Sequence, residues 1–380
     1  MLQLFLTFLR LGLSSFGGPV AHIAYFYEEF VKRKQWFSDA QFQQWISLCQ
    51  FLPGPASSQL GIVIGYARGG YLGAFLAWLA FTTPSALFLL AFATGFMHDT
   101  IVPVGVFYSL KILAVSVVAH ALLSMLRPIG TQAKVWGTIL LTVLICLTLP
   151  ILWVQLLWII CCAVLGYALF KKETAVNTHS AISTPSSRMA WRLLSVFALL
   201  LIGLPIVAHY IPTPLSQIAD SFYRAGALVF GGGHTVLPWL QAETQAWVST
   251  QDFLIGYGLT QAVPGPLFTF AAFLGGLIDG GVGGVTAILF IFLPGALLVL
   301  GILPLWEGLQ YHHGVRRAVQ GINAAVIGIL ASTLIHPIAS NSLTSLNAAL
   351  LAFFGFLCLQ WLKLSITTVV LLFVVIGCIL

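Results

Sequence analysis

Charge is what this chain of 380 residues has least of: 16 Lys and Arg and 10 Asp and Glu make up 7% of it, against 59% hydrophobic residues. A soluble domain carries about 25% charged residues, so water is not the main solvent of this fold, and a soluble enzyme and a disordered chain are both excluded. The net charge of +6 comes with no basic run interleaved with exposed aromatics, which leaves nucleic acid out as a partner. Cysteine is also scarce. Cys49, Cys146, Cys161, Cys162, Cys358 and Cys378 all sit in apolar segments without metal-ligand spacing, and read as buried, unreactive thiols. The first residues lack a basic n-region and a small-residue cleavage site, and read as part of the mature protein. No nucleophile with a base, no metal cluster and no nucleotide loop occurs, so the expectation is a protein with no catalytic residues, no metal and no cofactor.

What the chain has instead is length in apolar runs. With a mean hydropathy of +1.00, the segments 72–96, 104–126, 135–149, 152–170, 192–211, 283–305, 318–335, 345–361 and 364–380 each read as a transmembrane helix. The polar stretch from Lys171 onward is a linker near the middle of the chain. Four other stretches are apolar but broken by glycine and proline: 1–30, 38–67, 215–240 and 251–278.

These four form two pairs, because the halves repeat. Phe8 to Gly18 answers Phe222 to Gly232, aligning Arg10 with Arg224, Gly12 with Gly226 and Phe16 with Phe230. Cys49 to Pro55 answers Thr260 to Pro266, and the order continues through Trp36/Trp247, Ser38/Ser249, Phe42/Phe253, Gly73/Gly284, Pro84/Pro294 and Arg127/His336. The expected organisation is a first membrane repeat over 1–170, a cytoplasmic linker over 171–191, an extra crossing at 192–211 and a second repeat over 212–380. Charge sets their orientation. Lys32, Arg33 and Lys34 face a stretch around Glu243 with no Lys or Arg, and Arg68 corresponds to Asp279. If the four broken stretches are re-entrant hairpins, 13 of the 16 basic residues fall on one face, the cytoplasmic one. The exceptions are Lys111, Arg10 and Arg224. The fold expected is therefore an all-α polytopic membrane protein of two inverted-topology repeats with discontinuous or re-entrant helices.

Broken backbone in a membrane frees N–H and C=O groups that cost about 2 to 7 kcal/mol each if left facing lipid. They belong in the protein interior or a wet cavity. Helices restarting after Gly18, Pro55, Gly233 and Pro266 would bring N–H groups and positive dipole ends to mid-membrane, where they favour an anion. The candidate site is Gly17, Gly18, Gly54, Gly231, Gly232 and Gly265 for backbone donors, with Gln50, Gln261 and Ser57 beside them. Arg10 and Arg224 are either forks for an oxyanion or snorkelling clamps on freed carbonyls. His234, which replaces Val20, is either a proton-responsive donor or a satisfied interior histidine. Lys111 has no basic repeat partner and reads as a pathway charge or a snorkelling one. Glu28 and Glu29, at helical spacing from Lys32 and Arg33, read as surface ion pairs, and Trp36, Trp247 and Trp306 as interfacial anchors.

On Phe16 to Pro19, Gln50 with Pro53 to Pro55, Phe230 to His234 and Pro264 to Pro266, the sequence resembles the chromate ion transporter family in its long two-domain form. The resemblance implies export of chromate across the bacterial inner membrane and resistance to it, with sulfate as a close mimic. A carrier of sulfate or another anion, or an anion channel, is the alternative. The partners expected are an oxyanion and the lipid bilayer, and GxxxG-like faces accommodate a homodimer.

Overall fold

A computed structural model describes residues 1–16, 18–96, 103–130, 132–149, 152–169, 186–230, 235–306 and 313–379. These residues form helices, with no strand among them. The first half contains α1 (Leu2–Ser14), α2 (Gly18–Tyr27, continued by a wider turn over Glu28–Arg33), α3 (Asp39–Phe51), α4 (Ala56–Ala91), α5 (Val104–Leu126), α6 (Ala133–Thr148) and α7 (Leu152–Leu169). After α8 (Ser187–Tyr210), the second half repeats the series. It comprises α9 (Pro214–Leu228), α10 (Val236–Thr244), α11 (Thr250–Ala262), α12 (Phe270–Ile302, entered by a tight turn over Leu267–Thr269), α13 (His313–Thr333), α14 (Leu346–Gln360) and α15 (Ile366–Ile379).

α1 and α3 have 13 residues each, about 20 Å at 1.5 Å per residue, too short for a hydrocarbon core of about 30 Å. α4 is itself two arms: Gly69 and Gly70 leave helical geometry, and the second arm folds back so that Gly73 and Ala77 pack on Gly65. α12 does the same at Asp279 and Gly280, bringing Gly283 and Ala287 onto Gly275. Residues 38–67 thus form a helical hairpin, α3 and the first arm of α4, joined at Leu52 to Pro55. The expected segments 72–96 and 283–305 begin just after these turns. Ser38 and Ser249, repeat partners, cap α3 and α11 with their hydroxyls on the amides of Gln41 and Asp252. Pro214 opens α9 behind the cap Thr213.

Among the described residues, five stretches of helix are long and apolar enough to cross a membrane by length and composition: Ala56–Gly95, Gly105–Leu126, Ser187–Tyr210, Leu267–Leu305 and Arg317–Ser342. Their outer surfaces carry large apolar side chains, such as Phe75, Leu87, Leu199, Ile202 and Leu289, that only lipid can cover. Cys161 and Cys378 lie on this outer surface, which corrects the expectation that every thiol is buried; the other four are buried. Trp306 also departs from the expected interfacial position, since it is 4% exposed and packs on Phe51.

The halves are interlocked. α7 packs on α13, where Gly321 lies against the Cys162 carbonyl, and its repeat partner α15 packs on α5, where Gly377 lies against the Gly105 carbonyl. Ser116 of α5 donates to the Ala352 carbonyl of α14 at 2.7 Å. One apolar core joins α5 to the second half, and another joins the first-half hairpins to the end of α12.

Candidate functional site

The helix breaks meet in two pairs, each joining one half to the other. In each Pro-Gly-Pro the prolines have no N–H, so the glycine is the motif's one backbone donor. Gly54 N–H donates to the Val229 carbonyl at 2.7 Å, and Gly265 N–H donates to the Ser15 carbonyl at 2.9 Å. Val229 and Ser15 are repeat partners at the ends of α9 and α1, so each half's Pro-Gly-Pro satisfies the carbonyl freed at the other half's glycine break. Both glycines sit at positive φ, +118° and +114°, where a side chain is strained. Gln59 fastens the crossing. Its Nε2 donates to the Pro53 carbonyl at 2.8 Å and across the halves to the Gly295 carbonyl at 3.3 Å.

His22 completes the first break and was not legible from the repeat, because Val236 stands at its counterpart position. It is fully buried, with Nε2 3.2 Å from the Ser15 carbonyl and Nδ1 3.4 Å from Ser57 Oγ. With Nε2–H donating to the carbonyl, Nδ1 accepts from the Ser57 hydroxyl. Around these contacts lie buried polar atoms without a partner: Ser15 Oγ, Ser58 Oγ, Gln59 Oε1, Thr82 Oγ1 and Gln261 Nε2. Ser15 is itself a crossing residue, Ser58 and Gln59 lie in the opening turns of α4, Gln261 lies just before Pro264, and Thr82 lies one turn before Ser85, which faces Gly265. Buried polar groups without partners are costly and rare; here four of the five, the Ser15, Ser58 and Thr82 hydroxyls and the Gln261 amide, can donate, and Gln59 Oε1 can only accept.

Arg10 and Arg224 are placed differently from the backbone donors. Arg10 Nη2 lies 2.5 Å from Glu29 Oε2. Arg224 forks onto two carboxylates, Asp220 at 2.8 and 2.7 Å and Glu243 at 2.7 and 2.9 Å. Glu29 and Glu243 share the offset that relates Arg10 to Arg224, so the ion pair is itself repeated. Glu29 is buried, at 6% exposure, and holds Arg33 and Lys34 at 3.6 Å as well, which corrects its reading as a surface pair. Lys111 lies partly buried in α5 with its ammonium 5.9 Å from the Tyr108 ring centre. Gly18 begins α2 and Gly265 precedes α12, as the motifs imply. Gly17, Gly231, Gly232 and His234 lie outside the described residues.

The two halves are not equally covered. On α3, Gln43, Ser47 and Gln50 are all exposed and form one polar stripe descending to Pro53. Their repeat partners on α11, Leu254, Gly258 and Gln261, are all buried. α5 lies across α11, with the Leu110 carbonyl against Gly258, whereas its partner α13 makes no comparable contact with α3. Two apolar grooves of about 230 and 200 Å³ flank the α4–α12 contact, one lined by Ile62, Trp78 and Leu300 and the other by Leu90, Ala272 and Gly284. Their positions are also related by the repeat.

A helical membrane protein whose two repeated halves interlock through glycine and proline breaks, with unpartnered donors at the crossing, has the build of a transporter. The chain belongs to the chromate transporter family, whose pattern it matches over residues 2–167 and again over 216–378. It is 28% identical over 367 residues to a chromate transport protein of Cupriavidus metallidurans, covering 92% of this chain and 85% of that one. An uncharacterized transporter of Methanocaldococcus jannaschii is 26% identical over 384 residues, 99% of this chain and 93% of its own. An uncharacterized transporter of Bacillus subtilis is 27% identical over 174 residues, which are 43% of this chain but 86% of that protein. No solved structure matches the chain.

Proposed function

We propose that the protein is a secondary transporter of the bacterial inner membrane that exports chromate from the cytoplasm by alternating access and so confers resistance to it. The observation that carries this reading is the reciprocal pair of bonds, Gly54 to Val229 and Gly265 to Ser15, ringed by unpartnered donors. The substrate's oxygens accept from Ser15, Ser58 and Thr82 hydroxyls, the Gln261 amide and the amides that open α4. A site of uncharged donors suits a tetrahedral dianion that must also leave. With the second arm of α4 and α5 to α8 each taken across the bilayer, five crossings separate the start of α1 from the start of α9. An odd number inverts the second half, so the exposed stripe of α3 opens to the cytoplasm while α5 closes the equivalent path along α11. Exchanging these contacts, with α13 closing on α3 and α5 leaving α11, turns the site outward.

Energetics favour export. Each charge crossing 100 mV gains about 2.3 kcal/mol, so a dianion leaving an inside-negative cell gains about 4.6 kcal/mol. Flux of labelled chromate in reconstituted vesicles under an imposed potential tests the proposal. Saturable flux, driven by the potential and competed by sulfate, is expected. Flux that never saturates points to a channel, and sulfate carried in strong preference to chromate assigns the protein to another anion.

A further inference from the structure

We propose that the cytoplasmic mouth carries a second anion site, a loading site for the oxyanion built from Arg33, Lys34 and Arg10 around Glu29, with Lys32 and Arg68 at its rim. The inference rests on the transporter reading above and adds to it the place where substrate is first held and a reason for its direction.

The cations of this mouth outnumber what neutralises them. Glu29 has two carboxylate oxygens, and three cations share them: Arg10 at 2.5 Å and Arg33 and Lys34 at 3.6 Å. Glu28 and Asp39 act on Lys32 at the same mouth, so five cations, Arg10, Lys32, Arg33, Lys34 and Arg68, face three carboxylates, which leaves an excess of two positive charges, the complement of a dianion. Arg10 and Arg33 keep 52% and 67% of their side chains exposed, so the excess is accessible. Aromatic faces also hold cations here, Lys34 among them. The Arg68 guanidinium lies 4.5 Å and the Lys34 ammonium 5.2 Å from the Trp36 ring centre, and Lys32 lies 5.3 Å from that of Tyr27. A ring positions a cation without cancelling its charge, unlike a carboxylate. A hydrogen bond with Tyr27 and the charge of Asp39 raise the pKa of Lys32 above the ordinary value, so its charge is partly offset by that carboxylate and it belongs to the rim. The exposed stripe Gln43, Ser47 and Gln50 leads inward from this rim.

The repeat supplies the control. In the second half Arg224 is closed off by Asp220 and Glu243, Asp279 replaces Arg68, and no Lys or Arg occurs from 225 to 315. One mouth draws in dianions and the other repels them, which lowers outward affinity and discourages re-entry. Cytoplasmic orientation alone requires basic residues on that side. It does not require them to be ring-held or gathered around one buried carboxylate.

The test is initial chromate flux from the cytoplasmic face of oriented vesicles, measured against concentration at low and high ionic strength. Arg33→Gln with Lys34→Gln is expected to raise KM about fivefold at low salt with the maximal rate unchanged, and to flatten the wild-type rise of KM with salt. Arg68→Asp, which copies the second half, is expected to raise KM in the same way. Lys171→Gln with Lys172→Gln removes two linker charges and leaves KM where it was. An unchanged KM and salt dependence in both mouth variants, with wild-type flux intact, overturns this inference alone. Absence of chromate flux in the wild type overturns the transporter reading instead.

Discussion

Replacing Gly54 by alanine places a methyl group at the point where the two halves are joined. At φ +118° the substitution strains the backbone by about 1 to 3 kcal/mol. The new Cβ would lie 2.9 Å from Gln59 Nε2 and 3.2 Å from Gly295 Cα. The Gln59 amide is displaced from two carbonyls, for about 1 to 3 kcal/mol, but the Gly295 backbone cannot yield in the same way. If the Gly54 amide shifts, the Val229 carbonyl loses a partner, for about 1 to 3 kcal/mol more. The sum, about 3 kcal/mol or more, falls on the geometry of the crossing. A hundredfold or greater loss of potential-driven chromate flux per molecule inserted is the expected outcome, since about 1.4 kcal/mol is a factor of ten. Gly70→Ala is the control. Gly70 also has positive φ, +61° with ψ −151°, and nothing lies within 4 Å of its added Cβ, so it carries a comparable backbone cost of about 1 to 3 kcal/mol at the α4 bend but displaces no contact of the crossing, and its flux is expected to stay within about tenfold of wild type. Equal flux in the two variants refutes the reasoning that the crossing organises transport.

Gly265→Ala meets Ser85 Oγ at 2.6 Å, and Ser85→Gly, which copies Gly295 of the other half, is expected to recover about 1 kcal/mol of the loss, read as about fivefold in flux. Arg224→Gln strands two buried carboxylates and is expected to lower unfolding free energy in detergent by about 3 to 5 kcal/mol, against about 1 kcal/mol or less for Arg10→Gln, whose Glu29 keeps Arg33 and Lys34. With Cys161 and Cys378 replaced by alanine, Ser47→Cys with Val319→Cys is expected to crosslink only when the α13-on-α3 arrangement is visited, and to arrest flux. Crosslinking at the same rate with and without chromate and potential would count against alternating access.

Much of this architecture is legible in the sequence because glycine and proline break rules that a membrane otherwise enforces. Pro53 to Pro55 and Pro264 to Pro266 mark where backbone donors are released, and the repeat shows that they must meet. What meets what is less accessible. Gly54 pairs with Val229 and not with its own half's Ser15, and only the interlocked packing of α5 with α15 and α7 with α13 reveals this exchange. The arginines show the opposite case. Glu29 lies at helical spacing from Arg33, a local signal that hides its pairing with Arg10 across the first hairpin. The shared offset of Arg10/Arg224 and Glu29/Glu243 is the signal that identifies the pair. His22 leaves no trace of that kind, since its counterpart is Val236, and its role follows only from burial between Ser15 and Ser57.

The central claim is that uncharged donors at the crossing, not the arginines, hold the oxyanion. Equilibrium binding of labelled chromate to the purified protein tests it most directly, comparing Ser58→Ala with Gln261→Leu in one chain against Arg10→Gln in another. At high ionic strength, where the exposed loading site is screened, the account predicts one dianion per chain, affinity reduced at least tenfold in the Ser58 and Gln261 variant, and affinity within about threefold of wild type in Arg10→Gln. Binding lost in Arg10→Gln and intact in the Ser58 and Gln261 variant would contradict it.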